Sequence, residues 1–429
     1  MAGAAERPVV GLFGAFDTGE LGEVALRRVL ESELRGRRQD IDLVVLAPFG
    51  AERPVPGDEG RPALPLPHPD GGEPLGLDAL IITGDVLGDG AHWAARYRVT
   101  TEAMADRGVA TLAQTGSLGG RDAAASVTWF AVGGAGSELD VARLGAKDVW
   151  ARDPATQELL GGTAVQSGDP LLLARRVFPP DVVRRRADLL RLSGALPTGR
   201  RAVIEVVPGL GAAHSYAGLV DAIAAALLAD PKLSVVVVDL DPTRQPHPDS
   251  TFRVPGLLAE RVHHLPVWVG LDDIAAAMSG SVAVVAGSPA GAHLAASLGV
   301  PVSVVDTGLG RRFESAIPVL AADASGIPAL LAGTEPVAID QPMQTLDAAL
   351  TELAERLPRA PVARRTTLDP DATTSALAVL QQRLVDERTA LQAELSRLQS
   401  ELDHLRASPE HRIARPIREG YQRWQRRRT

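Results

Sequence analysis

Residues 282–305 read VAVVAGSPAGAHLAASLGVPVSVV, and this stretch alternates two kinds of segment. The runs rich in β-branched residues at 282–286 and 302–305 favour buried strands, whereas the alanine- and leucine-rich run at 289–298 favours a helix. Two strands joined through a helix form a βαβ unit, in which the strands run parallel. The same alternation extends outward over residues 9–305. We therefore predict an α/β protein built on mostly parallel sheets.

The alternation breaks near its middle at residues 193–199, which read SGALPTG and have the composition of a hinge. We predict two Rossmann-like domains on either side of it, an N-terminal one at residues 1–195 and a C-terminal one at 200–335. The proline- and glycine-rich residues 48–76 are expected to form an irregular surface segment. Ligands of such sheets bind outside the carboxyl ends of the strands, so the two sheets are expected to face a ligand cleft.

The character of the sequence changes after residue 335. Residues 336–372 are predicted to be a connector with one helix at 346–357. At residues 373–408 a coiled coil is predicted, because a leucine recurs at every seventh position; the leucines are Leu377, Leu384, Leu391, Leu398 and Leu405. Such a seam buries its leucines by pairing with a second helix, which predicts a homodimer; the alternative is that the seam folds back onto the protein's own domains.

The last segment, residues 409–429, is strongly basic and carries seven arginines and one glutamate from His411 onward. Ile413, Ile417, Tyr421 and Trp424 recur at helical spacing. A basic amphipathic helix with interfacial aromatic side chains can lie on an anionic membrane surface. The alternative is a solvated, frayed terminus.

Composition excludes several classes of protein. The chain has no cysteine, which rules out disulfides, thiolate metal sites and a cysteine nucleophile. A net charge of −9 argues against nucleic-acid binding by the whole chain. No signal region or membrane-spanning run occurs, so we expect a cytoplasmic protein, peripheral at the inner face of the cell membrane if the tail binds there. The scarcity of lysine beside arginine is typical of a GC-rich bacterial genome.

Three further patterns concern ligands. Gly14 lies in a glycine-rich loop between the first strand and a helix, where backbone amides can approach an anionic ligand; a plain tight turn is the alternative. The histidines His263 and His264 have no neighbours at the spacing of a metal site and are expected in a solvated loop, so no metal site is predicted. Residues 209–211 read GLG and lack the third glycine of a dinucleotide fingerprint, so no cofactor is predicted.

Four short stretches carry a resemblance to a known family. In chain order they are FDTGELGE at 16–23, LIITGD at 80–85, VWARDPAT at 149–156 and GDP at 168–170. In type, order and spacing they resemble the motifs FDxxNxGD, GGGD, VRDxxS and PDP of the polysaccharide pyruvyl transferases, over about residues 8–310. The resemblance implies a GT-B-like fold, with two Rossmann-like domains about a cleft. It also implies transfer of pyruvate from phosphoenolpyruvate, a co-substrate, to sugar hydroxyls.

This chain departs from the family pattern at several positions. Glu20 and Glu23 stand where the family has asparagine and aspartate. In a later motif, SLHG, the family has a histidine that acts in pyruvate transfer, and Ala290 occupies its place here. His293 lies on a nearby face of the same predicted helix. It is the candidate to take over that role, although a structural histidine is the favoured interpretation.

The resemblance assigns roles to individual residues. By it, the catalytic residues are His293 and Asp17, and the donor-binding residues are Arg152, Ser288, Gly291 and Gly14. The remaining motif positions are Glu20, Glu23, Asp85, Asp153 and Asp169. Two assignments have structural alternatives, because Asp153 followed by Pro154 also makes a helix N-cap and could pair with Arg152 as a structural salt bridge.

Three functions are compatible with the sequence. The first is a transferase of the pyruvyl transferase type, which acts on a cell-surface glycan or its precursor. The second is a GT-B-type glycosyltransferase that uses a nucleotide sugar, since fold alone does not fix the donor. The third is a catalytically inactive relative that serves as a membrane-proximal scaffold.

Overall fold

The structure is a computed structural model that describes fourteen parts of the chain. They are residues 7–14, 16, 21–47, 64–65, 77–84, 126–132, 148–159, 164–206, 213–240, 254, 256–265, 270–305, 317–320 and 326–361. Several predicted features lie outside these residues: Asp17, Glu20, Asp85, the strands predicted at 109–113 and 266–269, the coiled coil at 373–408 and the basic tail at 409–429. They stay predictions.

The first domain is a parallel sheet of seven strands. Its elements are β1 (Val9–Phe13), α1 (Leu21–Arg37), β2 (Asp42–Ala47), β3 (Leu64–Pro65), β4 (Ala79–Gly84), β5 (Ser126–Val132), β6 (Asp148–Ala151), α2 (Pro154–Leu159) and β7 (Val165–Gln166). The strand order is β3-β2-β1-β4-β5-β6-β7, and every pair is parallel. Most strands are buried apolar runs, as expected where helices cover both faces of a sheet.

A short helical passage links the two domains. It consists of a 3₁₀ turn (Pro170–Leu173), α3 (Ala174–Val177) and α4 (Pro180–Leu192). The helix α4 ends at Leu192, directly before the predicted hinge, where Gly194 has a φ of 78°. Glycine adopts this left-handed conformation without steric cost, so the helix can end sharply there.

The second domain is a parallel sheet of six strands. Its elements are β8 (Arg200–Glu205), α5 (Ala213–Ala229), β9 (Leu233–Val238), a 3₁₀ turn (Gly256–Arg261), β10 (Val262–His264), α6 (Leu271–Met278), β11 (Val284–Ala286), α7 (Pro289–Ser297), β12 (Val302–Val305) and β13 (Val319–Leu320). The strand order is β10-β9-β8-β11-β12-β13. Counted from the first strand of each domain, both sheets contain the order 3-2-1-4-5-6 of a doubly wound fold. The α/β class with parallel sheets is confirmed.

The chain then returns to the first domain. After α8 (Ile327–Gly333), the helix α9 (Asp340–Arg356) packs on α1 and on the 3₁₀ turn at 170–173. This helix begins at Asp340 and not at residue 346, where the sequence predicted its start. Pro342 explains the difference, because proline is tolerated in the first turn of a helix.

A single apolar cluster runs through both domains. It joins Val10 and Leu12 of the first sheet to Val236 and Leu294 of the second domain, and all four are at most 1% exposed. The cluster is built mainly of valine, leucine, isoleucine and alanine, as the low aromatic content requires. The two domains therefore pack directly against each other over part of their facing surfaces.

Three sequence predictions about the fold were wrong in detail. The strand β3 lies within the segment 48–76 that was expected to be irregular, and the strands β7 and β13 were not predicted. Each of the three has two residues, too few to show a strand periodicity. His263 and His264 lie in the edge strand β10 and not in a loop.

Over the described part of the chain, no helix combines the length and apolar character needed to cross a membrane.

Candidate functional site

The two domains meet where the first turns of α1 and α7 face each other. A Cβ atom added to Gly22 would lie only 2.7 Å from the Cβ of Ala290, so the absence of a side chain at Gly22 permits this approach. Next to it, the amide of Leu21 donates a hydrogen bond to the carbonyl of Leu240 over 2.7 Å. The first motif of the chain and the position of the family's histidine are therefore neighbours.

Three of the predicted site residues form one cluster at this junction, and they come from both domains. Arg152 follows β6, Asp169 follows β7, and His293 lies in α7. The Oδ2 atom of Asp169 is 2.9 Å from Nδ1 of His293 and 3.6 Å from Nε of Arg152. Asp169 and His293 are each 1% exposed, and Arg152 is 6% exposed. A substrate can therefore reach these side chains only if the surrounding residues separate.

The carboxylate of Asp169 is held in its ionised form. Its second oxygen, Oδ1, accepts a hydrogen bond from the Leu171 amide over 2.8 Å and so caps the 3₁₀ turn. Burial alone would raise the pKa of Asp169, but His293, Arg152 and the Leu171 amide together lower it below its ordinary value. An ionised aspartate beside Nδ1 fixes the orientation of an imidazole ring, as in many acid–base sites.

Asp153, the neighbour of Arg152, has a structural task. Its Oδ1 accepts a hydrogen bond from the Thr156 amide over 2.8 Å, and its Oδ2 accepts one from the Thr156 hydroxyl over 3.0 Å. These bonds form the N-cap of α2 that the sequence offered as an alternative. Arg152 is thereby placed at the first residue after β6, with Asp169 as a close acidic neighbour.

The carboxyl end of the first sheet is irregular near this cluster. Ala131 in β5 has a φ of 49°, and the pairing of β5 with both β4 and β6 shifts register beside it. A non-glycine residue in the left-handed region stores backbone strain, which occurs often at functional sites. This irregular part of β5 pairs directly with β6, the strand that ends just before Arg152.

The first turn of α7 holds an internal carboxylate. Ser288 caps the helix by accepting a hydrogen bond from the Gly291 amide over 3.0 Å. The side chain of Glu205, the last residue of β8, accepts hydrogen bonds from the amides of Gly287 and Ser288 over 3.0 and 3.1 Å. It also accepts one from the Ser288 hydroxyl over 2.5 Å. Helix N-termini attract anions, and here a protein side chain takes that place.

Glu205 was missed by sequence reasoning. It is 2% exposed, and burial raises its pKa to about 7 in spite of the hydrogen bonds that it accepts. A carboxyl group with a pKa near neutrality can donate or accept a proton under physiological conditions. A signal was present, because Glu205 is the one charged residue within the apolar run 202–207, where an ionisable side chain must find partners.

The remaining motif residues lie near the ends of the first sheet. Glu23, in the first turn of α1, is 5% exposed and lies against Gly84. Only glycine suits this position, because its φ is 83° and an added Cβ would collide with the Glu23 carboxylate. The amide of Gly14 donates a hydrogen bond to the Leu46 carbonyl over 3.3 Å. A Cβ on Gly14 would lie 2.6 Å from the ring of Phe16. Donor binding by Gly14 stays a prediction.

The structure thus brings Arg152, Asp169 and His293 together, and it places Ser288 and Gly291 in the first turn of the helix that carries His293. Within the described ranges, no group of three or more histidine, aspartate or glutamate side chains is arranged to hold a metal ion.

No protein-family model and no curated protein sequence matches this chain. Among solved structures, it is similar to UDP-GlcNAc 2-epimerase from Neisseria meningitidis, with a TM-score of 0.48 and 13% identity over 88% of this chain and 100% of that one. It is also similar to the E. coli ADP-heptose LPS heptosyltransferase II, with a TM-score of 0.42 and 14% identity over 81% and 100% of the chains. At such TM-scores these likenesses carry no argument, and the fold assignment rests on the strand orders.

Proposed function

We propose that this protein is a GT-B-like transferase of the polysaccharide pyruvyl transferase type. It transfers a pyruvyl unit from phosphoenolpyruvate to two hydroxyls of a sugar in a cell-surface glycan or its precursor. The observation that supports this proposal is the cluster of Arg152, Asp169 and His293. Two of these residues belong to the motifs that carry the resemblance, the third is the candidate substitute for the family's histidine, and they meet at one junction.

The chemistry of the proposed reaction needs an acid and a cation. A proton is added to the methylene carbon of phosphoenolpyruvate, and a sugar hydroxyl attacks the adjacent carbon. The bond from that carbon to the phosphate oxygen then breaks, phosphate leaves with the electron pair, and a second hydroxyl closes the ketal. One hydroxyl proton replaces the proton given to the methylene carbon, and the other leaves with phosphate. His293, oriented by Asp169, is the proposed acid, and Arg152 is the proposed partner of the donor's carboxylate or phosphate.

A second candidate function, an inactive scaffold, is favoured by two specific observations. The contact between Gly22 and Ala290 and the carboxylate of Glu205 at the start of α7 both occupy space that a donor anion would need. An inactive scaffold requires no such space. The dimer through residues 373–408 and the membrane contact of residues 409–429 belong to either candidate as proposals. Light scattering on the chain with and without residues 373–429 tests the dimer.

Ligand-induced stabilisation separates the candidates. A ligand at about 100 times its Kd adds about 2.7 kcal/mol to the free energy of unfolding, so binding raises the melting temperature. We expect phosphoenolpyruvate to stabilise the full-length protein. Replacing Arg152 by alanine should abolish this effect, because the guanidinium is the proposed anion partner.

The control for that variant is Arg185→Ala, which removes an arginine that is 74% exposed in its side chain and should leave ligand stabilisation intact. Stabilisation by UDP-sugars but not by phosphoenolpyruvate would instead support a nucleotide-sugar glycosyltransferase. Stabilisation by neither class of ligand would support the scaffold.

A further inference from the structure

The side chain of Glu205 connects the second sheet to the first turn of α7. Its Oε2 accepts hydrogen bonds from the amides of Gly287 and Ser288, and its Oε1 accepts one from the Ser288 hydroxyl. The Ser288 oxygen in turn accepts a hydrogen bond from the Gly291 amide. Three of the amides at the start of this helix are thereby satisfied, directly or through one hydroxyl, from a single carboxylate.

The fit between Glu205 and α7 is close. A Cβ atom on Gly291 would collide with the carboxylate of Glu205, so the glycine allows the helix to approach the end of β8. Any movement of α7 along or around its axis must therefore break these hydrogen bonds or press the helix against the carboxylate.

Most of α7 is buried, and most of its side chains are small. It reads PAGAHLAAS, and only His293 and Leu294 have large side chains. Small side chains interlock weakly with their neighbours, because each contributes few van der Waals contacts. The hydrogen bonds at the two ends of α7 therefore contribute a larger share of what holds the helix in place. At the far end, the Ser297 hydroxyl oxygen accepts a hydrogen bond from the Arg175 amide over 2.8 Å.

We propose that Glu205 is a positioning residue of the candidate site: its carboxylate holds the first turn of α7 and thereby sets the imidazole of His293 against Asp169. Only the part of this inference that concerns catalysis rests on the proposed function. The part that concerns the position of His293 follows from the contacts of Glu205 and from the 2.9 Å distance between Nδ1 of His293 and Oδ2 of Asp169.

The nitrogen resonances of the His293 side chain test this inference without any assay of activity. In the full-length protein labelled with ¹⁵N at its nine histidines, the His293 signals are identified by their loss in His293→Asn. Asp169→Asn shows where they lie once the ionised partner is gone. We expect Glu205→Ala to shift the His293 signals toward their positions in Asp169→Asn. Glu205→Gln, which keeps the size and an accepting oxygen, should restore them to near the wild-type positions.

Two further variants complete the test. Ser281→Ala removes a buried hydroxyl of the same domain, which donates to the Met278 carbonyl, and it should leave the His293 signals unchanged. Ser288→Ala takes the place of Glu205→Ala if that variant does not fold, and it should shift the signals in the same direction. Wild-type His293 signals in a folded Glu205→Ala or Ser288→Ala variant would overturn the proposal. Because no substrate is added, such a result would leave the proposed reaction untouched.

Discussion

Glu205 carries its charge in surroundings that disfavour it, and this ties the stability of the protein to pH. Burial, aided by the charge of Asp239, raises the pKa of Glu205 from 4.5 to about 7 against the effect of its hydrogen bonds. A carboxyl group with a raised pKa in the folded state stabilises the fold fully below its unfolded pKa. That stabilisation is lost as the pH rises through the folded pKa.

We therefore predict a pH-dependent difference between the wild type and Glu205→Gln. A shift of about 2.5 pKa units corresponds to about 3 kcal/mol. The free energy of unfolding of the wild type, relative to that of the variant, should fall by about this amount between about pH 4.5 and pH 8. Urea denaturation of both proteins across this range measures it. A difference that stays constant with pH would show that Glu205 ionises normally in the fold.

The sequence singled out candidate site residues, and their roles stay predictions. Arg152, Asp169 and His293 were each singled out in advance, and the structure places them together. Glu205 was not, because its partners Gly287 and Ser288 lie about 80 positions later in the chain. No local pattern links a strand end to a helix start across that separation.

Arginine side chains cap the carboxyl ends of three helices. Arg261 donates hydrogen bonds to the carbonyls of Leu227 and Asp230 at the end of α5. Arg201 donates to carbonyls at the end of α6, and burial lowers its pKa to about 10. Arg38 donates to the carbonyls of Ala354, Leu357 and Pro358 at the end of α9 over 2.7–3.0 Å. The last carbonyls of a helix have no partner within it, and a guanidinium can donate to several at once.

The Arg38 cap attaches α9 to the first domain, which predicts a measurable cost for its loss. Arg38→Ala should lower the free energy of unfolding by about 2 kcal/mol, because charged donors are removed from partly buried carbonyls. Arg38→Lys should recover only part of the lost free energy of unfolding, since an ammonium group lacks the planar guanidinium that donates to several carbonyls at once. Urea denaturation checks both, with the exposed Arg185→Ala as control, expected to cost less than about 0.5 kcal/mol. A cost for Arg38→Ala no larger than that of the control would mean that the cap does not hold α9.

Prediction of the secondary-structure elements was accurate for a buried apolar strand and poor at the start of a helix. The strand Val302–Val305 has the predicted bounds, because it is a continuous buried run. The start of α9 was placed at residue 346 and lies at Asp340, with Pro342 in the first turn, where proline is tolerated. That α9 returns to the first domain depends on contacts with α1, which the amphipathic pattern alone does not identify.

At the level of the whole molecule, the two doubly wound sheets share a core and meet through α1, the 3₁₀ turn at 170–173 and α7. Further ion pairs cross the junction from α1 and α4: Arg28 with Asp272 over 3.1 Å and Arg186 with Asp273. The repeated βαβ pattern predicted both sheets. It did not predict how closely the first turns of α1 and α7 approach, because that depends on the missing side chain of Gly22.

The proposed activity of the cluster of Arg152, Asp169 and His293 is transfer of pyruvate from phosphoenolpyruvate to a glycan. The most direct test is the rate of phosphate release from phosphoenolpyruvate by the full-length protein, with and without a panel of glycan acceptors. We expect phosphate release that depends on an acceptor and falls about 100-fold or more in His293→Asn, the loss typical of a missing general acid. No acceptor-dependent release by the wild type, or equal release by His293→Asn, would contradict it.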